Sequence, residues 1–182
     1  MDDLEHRTGL PDALRVLVAD YPREGWERHR NFDGLTRFWL DRHLMFRQML
    51  ADMQGQSQAL IDKNQADPRR LAGVAGNFLN SLHGHHQMED HHYFPQLTAA
   101  EPRLAQGFGL LDADHHALDA HIHALAEKTN AVLQALTTNK PTRESAAALN
   151  EALTPFGTFL DRHLTDEEEL VVPIILHFAL RF

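Results

Sequence analysis

Apolar side chains recur at every third or fourth position along most of the chain after residue 32, which is the spacing of helices with one buried face. No sustained alternation of apolar and polar residues is found, so strands are not expected. The pattern predicts four long amphipathic helices, with Asp33, Asp67 and Thr142 as N-caps of the first, second and fourth. Four such helices joined by short loops predict an all-α fold, an antiparallel up-and-down four-helix bundle.

Prolines set the predicted ends and bends of these helices, because proline lacks the N–H that a helix interior uses. We expect the second helix to end near Pro95 and the third to begin near Phe108, after a loop that contains Pro and Gly. In the fourth helix, Pro155 predicts a kink or a separate first segment. Pro173 predicts a second interruption, which leaves a short apolar tail at residues 174–182.

The chain is expected to divide into an N-terminal extension, residues 1–32, and the bundle, residues 33–182. Prolines and a glycine limit the extension to one short helix around residues 12–19. The apolar residues of this helix would pack either on the bundle or on a second subunit, and in the second case the protein would be a homodimer.

An internal repeat relates the two halves of the predicted bundle. The second and fourth helices match at a constant offset of 78 positions, and the first and third at an offset of 72. The bundle is therefore predicted to be a duplicated helix pair, in which each half supplies one single histidine and one His-x-x-x-Glu pair. The candidate metal ligands are His43, His85, Glu89, His115, His163 and Glu167.

The spacing of these residues has a chemical meaning. Residues four apart lie on one helix face, about 5 to 6 Å apart at Cβ, so each His-x-x-x-Glu pair can address one metal centre. All six residues fall in the apolar stripes, where buried carboxylates and imidazoles without a cation would cost several kcal/mol of desolvation. A pair of metal ions removes that cost.

The ligand types predict which metal binds. Zinc prefers closed four-coordinate sites, and calcium or magnesium avoid imidazoles, so two iron ions fit best, with manganese as the second candidate. Four imidazoles and two shared carboxylates would fill about eight of twelve octahedral positions. The remaining positions accept a bridging oxygen and an external ligand such as O2, peroxide or NO.

The repeat also selects among adjacent histidines. His85 is chosen over His86 because Leu164 occupies the position that corresponds to His86 in the other half. His115 is chosen over His116 because it keeps the same spacing to the next apolar residue as His43. The unselected histidines of the predicted helices are expected to be solvated or to lie behind the ligands; they are His83, His86, His91, His92, His116, His121 and His123.

Composition narrows the range of partners. A net charge of −9 and the lack of any basic run argue against nucleic acid or an anionic membrane surface as partner. The chain has 14 histidines and no cysteine, which excludes disulfides, iron–sulfur clusters and thiol ligands. The sequence has neither a secretory signal nor a transmembrane stretch, so a cytoplasmic location is expected.

The order His, His-x-x-x-Glu, His, His-x-x-x-Glu, with the motifs HHQMEDHHYFP and HLTDEEELVVP, resembles the hemerythrin-like HHE cation-binding domain family. The resemblance covers roughly residues 33–176. It implies a non-haem di-iron centre with a bridging oxo or hydroxo group, in which the four histidines above are terminal ligands and the two glutamates are bridges. It also implies chemistry with O2 or with redox equivalents.

The chain departs from the oxygen-carrying members of this family at two positions. They carry a second histidine four residues after the third-helix histidine, where this chain has Asp119 as an alternative ligand. They use an acidic bridge five residues after the last histidine, where this chain has Glu168 beside Glu167. Simple reversible O2 carriage is therefore not the expected function.

Three functions fit the sequence. The first is a protein that binds or senses O2, redox state or iron supply at a di-iron centre. The second is a di-iron enzyme that acts on peroxide, NO or O2. The third is a nickel or zinc buffer that uses the histidine-rich segment 83–92.

Overall fold

The computed structural model describes residues 4, 6–63 and 66–182, and within these residues the chain is helical with no strands. Five α-helices carry the fold: α1 (Gly34–Lys63), α2 (Pro68–Met88), α3 (Phe94–Ala100), α4 (Ala105–Thr137) and α5 (Arg143–Phe178). No helix among the described residues is long and apolar enough to cross a membrane.

Two of the predicted helix starts are confirmed by their capping hydrogen bonds. Asp33 Oδ1 accepts a hydrogen bond from the backbone N–H of Thr36 at 2.8 Å, at the start of α1. The Asp67 side chain accepts from the backbone N–H groups of Arg69 and Arg70, at the start of α2. Each cap satisfies N–H groups that have no partner inside the helix. Thr142 lies directly before α5, as predicted.

The helices pack as a bundle in which α1 contacts α2 and α5, and α4 contacts the same two helices. The contacts between α1 and α5 run in opposite sequence order: Arg47 donates to Asp161 and, further along α1, Gln54 donates to the backbone oxygen of Leu153.

The predicted end of the second helix at Pro95 is wrong. After α2 the backbone continues through one π-helical turn, Glu89–Tyr93, in which the N–H of Phe94 bonds to the carbonyl of Glu89, and then resumes as α3. Pro95 therefore lies in the first turn of α3, where its missing N–H is not needed. The predicted loop is largely helical as well, because α4 begins at Ala105 instead of near Phe108.

The predicted interruption of the last helix at Pro173 is wrong, and Pro155 does not separate a first segment, because α5 continues through both prolines to Phe178. A proline inside a helix costs about 3 kcal/mol or more. Burial offsets this cost at Pro173, since Val171, Val172 and Ile174 around it are all buried. The helix ends where Ala179 adopts a left-handed conformation with φ of 54°.

The N-terminal extension is less helical than expected. Instead of one helix over residues 12–19 it has a single 3₁₀ turn, Asp12–Leu14, followed by a second 3₁₀ segment, Arg23–Arg28. Its apolar side chains nevertheless pack on the bundle: Leu14, Leu17 and Trp26 belong to one buried cluster with residues of α5.

Two apolar clusters fill the interior of the bundle. One contains Phe46, Phe78 and Phe156, and the other contains Phe94, Phe108 and residues from the extension and the end of α5. Along α1 and α4 the candidate histidines, and along α5 the candidate Glu167, fall in sequence between residues of the two clusters. A polar layer therefore separates two apolar regions of the core.

Candidate metal centre

The polar layer brings together all six residues that the sequence selected. The four histidines are on four different helices or helix ends: His43 on α1, His85 on α2, His115 on α4 and His163 on α5. All four are buried, and the most exposed is His85 at 8%. Glu89 and Glu167 are fully buried beside them. Without a cation, so many buried polar groups would carry a large desolvation penalty.

Four of these residues form what we call the first group: His43, His85, Glu89 and Glu167. One ligand atom from each residue lies within 4.8 Å of the corresponding atoms of the others. The Nε2 atoms of His43 and His85 are 2.9 Å apart, and His85 Nε2 is 2.9 Å from Glu89 Oε1. The His43 Nε2 atom is 3.6 Å from Glu167 Oε2.

Three histidines form the second group: His86, His115 and His163. The rings of His86 and His115 stack at a centroid distance of 4.1 Å, and His163 meets His115 edge-on at 4.8 Å. Their closest nitrogen atoms also lie within 4.8 Å of one another. Phe94 stacks on His115 at 5.6 Å and helps to enclose this side of the layer.

The two buried glutamates connect the groups. Glu89 Oε2 lies 3.7 Å from His115 Nε2, although Glu89 Oε1 is bonded to His85 in the first group. Glu167 Oε2 lies 3.6 Å from both His43 Nε2 and His163 Nε2. Each carboxylate therefore reaches imidazoles of both groups, as a bridging ligand between two ions must.

Three of the predicted histidines share one further feature: each places its Nδ1 against a carboxylate. His43 Nδ1 is 3.0 Å from Glu168 Oε1, and His163 Nδ1 is 3.2 Å from Asp114 Oδ2. His115 Nδ1 is 2.7 Å from Asp90 Oδ1. An ionised carboxylate only accepts hydrogen bonds, so it selects the tautomer with the proton on Nδ1 and leaves the Nε2 lone pair free.

Arginines hold two of these carboxylates in place. Glu168 accepts from Arg23 at 2.6 Å and from Arg47 at 3.0 Å. Burial acts against its charge, but the hydrogen bond from His43 and the charge of the arginines hold the pKa of Glu168 at about 2. Asp114 is paired with Arg7 of the N-terminal extension, whose side chain is almost fully buried.

The protonation of the layer suits cation binding. Burial lowers the pKa of His43 and brings that of His163 well below its ordinary value, which keeps both imidazoles neutral. Burial and the adjacent Glu89 raise the pKa of Glu167 well above its ordinary value. Burial disfavours the charge of Glu89 as well, but the attraction of His85 keeps the pKa of Glu89 low. A cation between the two carboxylates would stabilise the ionised form of both.

The residues fit a pair of metal ions because several of their nitrogen and oxygen atoms are buried without a hydrogen-bond partner. Among the described residues, no hydrogen-bond partner contacts the Nε2 atoms of His115 and His163, Glu89 Oε2 or either carboxylate oxygen of Glu167. Buried polar atoms are rarely left without partners. These lone pairs all point into one buried layer, which is the arrangement that divalent cations satisfy.

Sequence reasoning missed His86. It was expected to be solvated or to lie behind the ligands, and solvation is ruled out because the side chain is 2% exposed and packed against the rings of His115 and His163. The other unselected helix histidines are exposed or half-buried, as expected: His83, His91, His92, His116, His121 and His123.

The two alternative acidic ligands lie outside both groups. The Asp119 side chain is 41% exposed and lies 3.5 Å from His83. Glu168 is used by His43 and the arginines, whereas its neighbour Glu167 faces the histidines. The geometry favours Glu167 over Glu168 as the bridging carboxylate. Trp39 of α1 donates from Nε1 to Glu89 Oε1 at 2.8 Å.

A cavity of about 400 Å³ borders the first group. His85, Glu89 and Glu167 line its inner end, and no residue of the second group is among the described residues that line it. Its walls are mostly apolar, and Phe38 and Met88 on its lining are 60% and 45% exposed. Mostly apolar cavities with a few convergent polar groups are typical ligand sites.

Comparison with known proteins agrees with the geometry. The family model "Hemerythrin HHE cation binding domain" matches residues 34–175, which include every residue of both groups. No curated protein and no solved structure matches the chain. Since the family model covers most of the sequence, the chain belongs to the hemerythrin HHE cation-binding domain family.

Proposed function

We propose that this protein is a di-iron protein that binds O2 or a related small ligand, or senses redox state or iron supply. The proposed ligands are His43, His85, Glu89, His115, His163 and Glu167, held in an antiparallel up-and-down bundle of four long helices formed by residues 33–182. Manganese is the second candidate metal. The proposal extends the metal binding that family membership implies to a specific metal, ligand set and task.

The observation that carries the proposal is the convergence of free imidazole nitrogens on two shared carboxylates. Glu89 and Glu167 each lie within 3.7 Å of imidazole nitrogens on both sides of the layer. The Nδ1 atoms of His43, His115 and His163 are bonded to carboxylates outside the layer, as metal-bound histidines require for orientation and basicity.

Each part of the chain has a task in this proposal. The histidines present Nε2 lone pairs, the two glutamates span the ion positions, and the outer carboxylates hold the rings in one tautomer. Trp39 orients Glu89 through its hydrogen bond. When bound, an iron pair supplies two neighbouring redox-active ions with room for one external ligand. The apolar cavity at the first group gives that ligand a route from the surface to the centre.

Metal content and the optical spectrum test the proposal together. Protein purified without a His tag, loaded with Fe²⁺ under anaerobic conditions, is expected to hold two irons per chain and to gain near-ultraviolet and visible bands on exposure to air. Evacuation or dithionite should reverse the change if the ligand is bound or sensed. No bands after exposure of an iron-loaded sample would contradict the proposal. Binding of nickel or zinc only, at the exposed histidines of segment 83–92, would favour a metal buffer.

The cavity supports a second candidate, a di-iron enzyme. Its volume of about 400 Å³ is on the order of ten times the share of one water molecule in the liquid. Diatomic gases and peroxide are all small enough to enter it, and it has room for a larger substrate as well. Turnover of peroxide or NO that is lost in Glu89→Gln, while free iron at equal concentration is slower than the wild type, would establish the enzyme.

A further inference from the structure

The second group contains a histidine that neither the repeat nor the family pattern selects. We propose that His86 is a fifth imidazole ligand, which binds one ion together with His115 and His163, so that the two ions have unequal ligand sets. The inference rests on the proposed two-metal function and changes its ligand set. A fifth imidazole from His86 would restore the number that is lost at position 119, where this chain has aspartate and the oxygen-carrying members of the family have histidine.

The first argument is the packing of the His86 ring. Its centroid lies 4.1 Å from that of His115 with 11° between the planes, and 5.5 Å from that of His163. One nitrogen of each ring lies within 4.8 Å of the others. One cation beside the three rings would be reached by all of them once the stacked rings of His86 and His115 turn so that one nitrogen of each points at it.

The second argument is that both ring nitrogens of His86 lack a hydrogen-bond partner among the described residues. A structural histidine in a core normally satisfies at least one nitrogen, because a buried polar group without a partner costs about 1–3 kcal/mol. The other histidines of the second group keep one nitrogen on a carboxylate and leave only Nε2 unsatisfied. Ligation removes this penalty for His86.

The third argument comes from the internal repeat. Position 86 corresponds to Leu164, which is fully buried in an apolar cluster. An apolar side chain is therefore accommodated at this position of the repeat, and the half that carries His86 has a polar group where packing alone does not require one. Asp119 stands where the oxygen-carrying members of the family have a histidine ligand. Its side chain is 41% exposed and lies 3.5 Å from His83, so it does not supply the missing ligand.

The experiment compares His86→Leu, which copies the other half of the repeat, with His83→Leu, an exposed control on the same helix. Anaerobic titration with Co²⁺, followed by its visible absorption, counts the ions and measures each affinity. We expect wild type and His83→Leu to bind two Co²⁺ per chain. In His86→Leu the second ion should bind at least about 100-fold more weakly, as loss of a direct ligand should exceed the effect of an outer partner.

Two further measurements guard against loss of folding. His86→Gln keeps a polar side chain of similar size and should show the same loss. In the Co²⁺-loaded wild type, the hyperfine-shifted imidazole N–H resonances should number five, and His86→Gln should lose one. Two ions bound with unchanged affinity in folded His86→Leu would overturn the inference and leave the proposed function intact. A wild type that binds no Co²⁺ or Fe²⁺ would overturn both.

Discussion

The two groups of the buried layer differ in their surroundings. The first group contributes three residues to the lining of a cavity of about 400 Å³, and His85 is 8% exposed. The second group is enclosed by Phe94, which stacks on His115, and by the pair Arg7–Asp114 behind His163. In the proposed two-ion centre, the first position would therefore meet an external ligand and the second would be saturated by protein.

The difference also shows what the N-terminal extension contributes. Arg7 lies outside the region that the family model matches, yet its guanidinium pairs with Asp114 and Asp166 inside the bundle. The second group is thus supported from outside the duplicated helices. The first group is supported by Glu168 with Arg23, also from the extension, and Arg47. The N-terminal extension therefore supplies one arginine behind each group.

Replacement of a shared carboxylate should have the largest effect, because it removes the link between the groups. Glu167→Gln is expected to bind fewer than two ions, measured as metal per chain by mass spectrometry. In the metal-free protein the same change should raise the free energy of unfolding by about 1–3 kcal/mol, since it removes a buried, repelled carboxylate. Retention of two tightly bound irons would contradict the bridging role.

Replacement of an outer carboxylate should act on one group only. Glu168→Gln removes the negative charge beside the Nδ1 of His43, and Asp114→Asn removes the one beside the Nδ1 of His163. Each change is expected to lower the binding affinity for one of the two ions by about 10- to 100-fold. Calorimetric titration with Co²⁺ resolves the two affinities. If either variant lowered the affinity for both ions equally, the two groups would not act as separate metal sites.

A third change fills the cavity. Gly84 lines it, and a Cβ at this position meets nothing within 4 Å. Gly84→Phe should keep two irons but slow the optical response to O2 about tenfold, a barrier increase of about 1.4 kcal/mol. Gly73→Phe, on the same helix with equally open space, is the matched control and should respond as the wild type does. Equal rates in both variants would show that ligands reach the centre by another route.

The smallest effects concern the pH dependence of stability in the metal-free protein. The pKa values of two adjacent glutamates are shifted in opposite directions there. The pKa of Glu168 is lowered from 4.5 to about 2, so its stabilisation is complete above pH 4.5 and is lost as the pH falls toward 2. The pKa of Glu167 is raised, so the folded state loses stability as the pH rises above 4.5. Chemical denaturation at several pH values, compared with Glu168→Gln and Glu167→Gln, should separate the two trends. Parallel trends would contradict the assigned environments.

The sequence predicted the features that depend on residues close to one another in the chain. The caps at Asp33 and Asp67 follow from the preference of aspartate for N-cap positions. The burial of the six candidate ligands follows from periodicity, since residues that share a helix stripe share a face. The repeat pairs His86 with the apolar Leu164, which indicates a buried position but does not indicate that the side chain there packs against other histidines. The carboxylates behind the histidines escaped notice because their contacts join distant helices.

The helix ends show the same limit. Proline was interpreted as a terminator at Pro95 and Pro173, but a π-helical turn accommodates the first and buried packing around Val172 outweighs the second. Both outcomes depend on tertiary contacts that local rules do not contain.

The central claim is that two ions lie between the histidines of this layer, joined by Glu89 and Glu167. Anomalous diffraction at the iron absorption edge, on crystals of iron-loaded protein, tests it most directly. The account predicts two peaks, one beside His43 and His85 and the other beside His115 and His163. A single peak, no peak in the buried layer, or peaks only at the exposed histidines of segment 83–92 would contradict it.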